Sequence, residues 1–181
     1  MWRRLRWILL ALIVVVVGGA VALAVVERPK LEDDRDAVDA RWSTLRPPLD
    51  DRYDLLADAL TAFAAAGGGD RAVTKELGAA LSAWTTASRA KEPAEEVEAA
   101  NHVEAQATRL RTNVLGSPRL SKEQALIAAV TAFDGSAPAA ALVEAYNRNV
   151  VRYQEERRST LGAPVARILG YDERPVLVLG G

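Results

Sequence analysis

The sequence contains no cysteine and a single histidine, His102. The first absence removes disulfides, thiolate metal sites, a cysteine nucleophile and a lipidated cysteine. The second leaves no cluster of imidazoles to converge on a metal, and His102 beside Asn101 and Glu104 reads as a surface residue. Aromatic residues are few, four Trp, four Tyr and two Phe among 181 residues. A run of basic charge is also missing. The first 26 residues carry three Arg and no acid, so the remainder holds 20 basic and 24 acidic residues, a net of −4. A mildly acidic domain lacks the basic face that neutralises phosphates, which argues against nucleic acid as a partner.

Familiar catalytic patterns are missing as well. Gly67-Gly68-Gly69 lacks the Lys-Ser/Thr of a phosphate loop. Asp33, Asp34 and Asp36 lack the ligand order and central Gly of an EF-hand. No Gly-x-Ser-x-Gly elbow occurs. The sequence therefore offers no catalytic, cofactor-binding or metal-binding residue.

What is abundant is Ala, Leu and Val. Trp7 to Val26 is an uncharged run of 20 residues, enough for a helix to cover the roughly 30 Å of a bilayer core. Trp2 and Trp7 stand where interfacial aromatics stand. The rival is a cleaved signal peptide, with Ala22-Leu23-Ala24 as the processing site, although signal cores are usually shorter. Arg3, Arg4 and Arg6 before the run outnumber Arg28 and Lys30 after it. This bias places the N-terminus in the cytoplasm and the following domain outside it.

Beyond Pro29 the apolar residues recur at helical spacing. Val38, Trp42, Leu45, Leu49, Arg52, Leu56, Leu60 and Phe63 form one stripe. Pro47-Pro48 predicts a kink or a short break within it. "AAAGGGD" at 64–70 is a stop, with Asp70 as the N-cap of a second helix carrying Val73, Leu77, Ala80, Leu81, Trp84 and Ala87. Pro93, followed by Glu95 and Glu96, opens a third with Val97, Ala100, Val103, Ala107, Leu110 and Val114. Ser121 with Gln124 is a capping-box pattern for a fourth, which "DGSAP" at 134–138 interrupts.

The fold class is all-α: an N-terminal transmembrane helix followed by an antiparallel up-down-up-down four-helix bundle. The expected organisation is a basic cytoplasmic N-terminus at 1–6, a transmembrane helix at 7–26 and a juxtamembrane segment at 27–36. A helical bundle follows at 37–161, then a tail at 162–181 that packs on the bundle or frays from it.

The stretch "AYNRNVVRYQ" at 145–154 puts Tyr146, Val150 and Tyr153 on one helix face, with Asn147, Asn149 and Gln154 beside it. Amides at a seam predict a polar layer that selects one register, because a slip leaves its groups unpaired. Arg52 occupies a stripe position. Either its stem lies along the seam with its head in water, or it is buried with a polar partner. Antiparallel packing of the first and fourth helices predicts that partner to be the layer around Tyr146, Asn147 and Val150, or Glu144 beside it.

The order of three elements resembles the LemA family of bacterial membrane-anchored helical proteins. These are Trp42 with Asp51-Arg52-Tyr53-Asp54-Leu55, then Tyr146-Asn147-x-x-Val150-x-x-Tyr153-Gln154, then Pro164 with "ILGYDERP" at 168–175. The family has a second Tyr-Asn where Tyr153-Gln154 stands and an Arg where Asp51 stands. The resemblance implies a single N-terminal anchor and an antiparallel four-helix bundle, and no established chemistry. The expected function is a membrane-tethered interaction or scaffold module of the cell envelope. Its partners are the lipid bilayer through residues 7–26 and a further protein or a second copy. Arg52, Asp54, Tyr146, Asn147, Tyr153 and Gln154 are the candidate residues of its polar layer or interaction site. The alternative is a carboxylate-dependent enzyme with a site near Arg52 and Asp54.

Overall fold

The structure is a computed structural model that describes the backbone of residues 2–180 and the side chains of residues 28–180. The predicted membrane span at 7–26 falls outside the residues whose side chains are described. Among the described residues no single helix is long and apolar enough to cross a membrane.

The chain is all-helical up to Leu169. Helix α1 runs Trp2–Phe63 without interruption, with Pro29, Pro47 and Pro48 inside it. Of the kink or short break expected at Pro47-Pro48, the break does not occur. Proline frees the carbonyl four residues back, which here means those of Ser43 and Thr44. Both residues are exposed, so water reaches the freed groups. The apolar face of α1 meanwhile stays in phase: Val38, Trp42, Leu45, Leu49, Leu56, Ala59 and Phe63 are buried. Leu31 is buried too, so the packed core begins inside the segment read as juxtamembrane.

A π-helical turn at Ala64–Gly68 ends α1. Helix α2 (Ala72–Ala90) is capped by Arg71 in extended geometry rather than by Asp70. Helix α3 (Pro93–Leu115) opens with Pro93 in its first turn, as expected, and buries all six of its predicted stripe residues. The Ser121–Gln124 capping box does not form. Ser121 lies in a 3-10 turn at Leu120–Lys122, and Glu123 precedes helix α4 (Gln124–Gly135) without a side-chain cap. After the break at "DGSAP", helix α5 (Ala140–Arg158) leaves α4 at 53°. Helix α6 (Gly162–Leu169) ends at Gly170, which adopts the left-handed conformation (φ 68°) that a helix C-terminus favours. Residues 171–180 follow without helical structure.

Side-chain pairs fix the directions. Arg46 reaches the Ser88 carbonyl and Trp84 Nε1 donates to Asp50, so α2 returns alongside α1. Trp42 meets Glu96 and Arg52 meets Glu104, so α3 runs with α1. Arg152 pairs with Asp34, and Trp42 packs on Tyr146 at 5.5 Å, so α5 runs against α1. Arg119, ahead of α4, donates to the Ala66 carbonyl at the far end of α1, while Phe133 near the end of α4 meets Arg52. Helix α1 is the hub. An aromatic row crosses the core from Tyr53 to Trp84 at 5.0 Å, on to Trp42 at 6.4 Å, and then to Tyr146.

Candidate functional site

The seam between α3 and α5 is filled by the segment 171–180. It runs from the start of the packed part of α1 toward the middle of the domain. Helix α5 supplies a row of donors to its carbonyls. Arg157 Nε donates to Tyr171 at 2.8 Å, Tyr153 Oη to Asp172 at 2.8 Å, Gln154 Nε2 to Arg174 at 2.5 Å, and Tyr146 Oη to Pro175 at 2.9 Å. Asn147 then closes on one residue, donating to the Leu177 carbonyl at 2.9 Å and accepting from its N–H at 2.8 Å. From the other flank Asn101 on α3 donates to the Val176 carbonyl and accepts from the Val178 N–H, both at 2.8 Å.

This alternation follows from extended backbone. The polar groups of residue 177 point to one side, those facing them from 176 and 178 to the other. Each flanking helix thus presents an Asn amide where a neighbouring strand would present a peptide group. Asn147 and Gln154 sit seven residues apart, two turns on one face of α5. That spacing is why both reach the same segment.

The segment also carries side-chain anchors. Leu177 is buried in the core. Arg174, buried, forks onto Asp39 of α1 through Nε at 3.1 Å and Nη2 at 3.0 Å. Tyr171 Oη donates to Glu32 at 2.9 Å, and Glu173 accepts from Arg157 and Arg158 at 2.9 and 3.0 Å. Val176 and Val178 face solvent.

The far end reaches a buried ion pair. Arg52 and Glu104 are each 1% exposed. Arg52 Nε donates to Glu104 Oε1 at 2.7 Å and Nη2 to Oε2 at 3.1 Å. Its Nη1 donates to the Phe133 carbonyl at 2.7 Å, and its guanidinium lies 3.8 Å from the Phe133 ring centroid. The Gly180 N–H donates to Glu104 Oε2 at 3.1 Å, while the Gly180 carbonyl accepts from Arg111 at 3.1 Å. Every nitrogen of Arg52 and both carboxylate oxygens are therefore engaged, the condition under which a buried charge pair is tolerated. A Cβ on Gly180 would stand 2.5 Å from Thr108 Oγ1, so this approach admits only glycine. Through Gly180 the tail packs on the bundle as far as its last described residue.

No protein-family model, no curated protein and no solved structure matches this chain. The site stands on its own geometry.

Several expectations change on that geometry. Arg52 is buried, but its partner is Glu104 rather than Asn147, Tyr146 or Glu144; Glu144 is exposed and pairs with Arg148. Asn147, Tyr146, Tyr153 and Gln154 do act together, yet they hold the C-terminal segment instead of setting the register of two helices. Asn149 turns to the Ala37 carbonyl at 3.5 Å. Asp54 is exposed and borders a depression of about 380 Å³ with Arg46, Asp50, Tyr53 and Trp84, so Arg52 and Asp54 do not share a site. Glu104, Asn101, Arg174 and Glu96 escaped the sequence reading. The signal for Asn101 was available, an amide one step from the α3 stripe.

Electrostatics match the packing. Burial pushes the phenols of Tyr53, Tyr146 and Tyr153 above the ordinary tyrosine range. The hydrogen bond from Arg158, with Arg157 nearby, holds Glu173 below the usual carboxylate range. Arg28, and then Tyr171, do the same for Glu32. Among the described residues no group of three or more His, Asp or Glu is placed to hold a metal ion.

Proposed function

We propose that the chain is a membrane-tethered helical interaction module of the bacterial cell envelope, resembling LemA proteins, that works by holding protein segments rather than by catalysis. The observation that carries this reading is α1. One helix, Trp2–Phe63, contains the uncharged run 7–26 and then becomes the hub of the domain. A hub continuous with its anchor keeps the domain at a fixed height over the bilayer. The four helical passes then form an up-down-up-down bundle standing outside the cytoplasm, the orientation favoured by Arg3, Arg4 and Arg6.

The extended segment supports the holding role. It is recognised chiefly through its backbone and through Arg174 and Leu177, the manner in which peptide-binding grooves read extended ligands. The alternative, a carboxylate-dependent enzyme near Arg52 and Asp54, has less support, because Arg52 is buried against Glu104 while Asp54 is exposed.

The test is membrane fractionation of full-length protein together with reporter fusions after Gly181. Retention in the membrane at unprocessed mass, with a reporter active only outside the cytoplasm, is the expected result. A soluble mature form beginning near Val25, or activity of a cytoplasm-only reporter, overturns the tether or its orientation.

A further inference from the structure

We propose that the seam between α3 and α5 is an exchangeable binding groove for an extended Arg-x-x-Leu-x-x-Gly segment, and that in the membrane it takes this segment from a second copy of the chain. The inference deepens the interaction reading above and rests on it for the membrane setting alone.

Three features make the segment removable. Its hydrogen bonds to α3 and α5 all involve helix side chains, so releasing it breaks no helical backbone bond. Its outward residues Val176 and Val178 are 40% and 60% exposed, so their side chains are not gripped. Gly170, at φ 68°, stands between α6 and the segment as a pivot, and turning there gives up one backbone bond, from the Tyr171 N–H to the Ala166 carbonyl at 2.9 Å.

The occupant follows from what the groove reads. Asp39 takes a guanidinium, Asn101 and Asn147 take three consecutive residues of extended backbone, and a core pocket takes Leu177. Thr108 leaves no room for a side chain at the seventh position. The chain itself carries that combination, so every neighbouring copy offers a matching ligand. Geometry favours the exchange. The segment begins beside Glu32, just beyond the run 7–26, so copies tethered in one bilayer would release it at the same height. Ten extended residues reach roughly 33 Å, more than the width of two packed helices of about 10 Å each.

The peptide assay uses a fluorescent peptide of residues 170–181 and full-length protein in detergent. Gly180→Leu ejects the resident end while leaving the groove intact. This variant, checked for helicity and cooperative melting, is expected to bind the peptide saturably and at least tenfold more tightly than the unaltered chain. A peptide with Leu177→Asp should lose at least tenfold. No saturable binding by the folded variant, or equal binding of the Leu177→Asp peptide, overturns the groove. Should Gly180→Leu not fold, Arg174→Ala in the full chain serves the same purpose.

Exchange between copies is read by mixing two tagged chains in one membrane. One has a disabled groove (Asn101→Ala with Asn147→Ala) and an intact segment. The other has an intact groove and a disabled segment (Arg174→Ala with Leu177→Asp). Co-purification of the mixture, with neither chain self-pairing, is expected. Peptide binding without such pairing overturns the assignment to a second copy. Because the peptide assay runs in detergent, it answers independently of the membrane fractionation that tests the tether.

Discussion

The side-chain amide of Asn147 engages both polar backbone groups of Leu177, at 2.9 and 2.8 Å, across a gap of 30 residues. One amide therefore replaces the partner strand that an extended segment would otherwise need. Asn147→Ala leaves a carbonyl and an N–H without partners and is expected to cost about 2 kcal/mol, since each unsatisfied buried group costs about 1–3 kcal/mol. Chemical denaturation measures the loss. Amide exchange at Leu177 should accelerate more than exchange in the middle of α2, and uniform acceleration would contradict a local role.

Arg52 and Glu104 form a closed unit, so removing one partner differs from removing both. Arg52→Leu is expected to cost about 3–5 kcal/mol because it leaves Glu104 buried without its cation. The double change Arg52→Leu with Glu104→Leu should recover much of that loss. A double-mutant cycle for Arg52 and Glu104 should give a coupling well above 1 kcal/mol, and one for Arg52 and Asn147 a coupling near zero. The opposite ranking would restore the pairing that helix spacing had suggested.

Trp42 and Trp84 each place an indole in the aromatic row and an N–H on a carboxylate. Truncation of either to Ala should cost about 3–5 kcal/mol. Trp42→Ala should be the worse of the two, because Glu96 is buried whereas Asp50 is half-exposed. Trp42→Phe separates the hydrogen bond from the ring, and thermal melts of the three variants rank the effects.

Stability should fall at both ends of the pH scale for different reasons. Glu173 and Glu32 have lowered pKa values in the folded chain. Their contribution is therefore complete above the unfolded value of about 4.3 and disappears as pH drops through the folded value. The start of the segment, around Tyr171 to Glu173, should loosen first in acid. Tyr53 and Tyr146 have raised values. Their contribution is complete below about pH 10 and is lost as pH rises, at about 1.4 kcal/mol per pH unit for each phenol that ionises only when unfolded. Denaturation midpoints across pH 3 to 11 test both arms; a flat alkaline limb would show that the phenols are open to solvent.

Helices were legible in the sequence where apolar residues repeat. The α3 stripe from Val97 to Val114 is buried at every predicted position, because a helix on a core obeys one period. Pro47-Pro48 does not break α1, because a proline's cost depends on whether its freed carbonyls find water, and exposure at Ser43 and Thr44 is a property of the packed molecule. The site was half legible. Asn147, Gln154 and the two tyrosines stood out as polar groups at a seam. Their partner was hidden because backbone carbonyls carry no side-chain signature, and because "RPVLVLG" is too short to declare an extended segment. Arg52 was visible as a misfit in its stripe, whereas Glu104 sat among ordinary helix residues with nothing in its spacing to link it to position 52.

The ties between Tyr171 and Glu32 and between Arg174 and Asp39 span 139 and 135 residues. Contacts of such separation form late, since the chain between must first be ordered. The segment also follows α1 to α6 in synthesis. In a folding order that docks the segment last, the domain passes through a stage with its α3–α5 seam open, Asn101 and Asn147 hydrated, and the Leu177 pocket empty. In that interval the folding chain presents the very surface that its finished form conceals. On the proposed membrane tether, copies emerging side by side would meet while each has a vacant groove and a loose segment. On the proposed exchange, spacing between copies during synthesis would join affinity at equilibrium in setting whether a segment closes on its own domain or on its neighbour's.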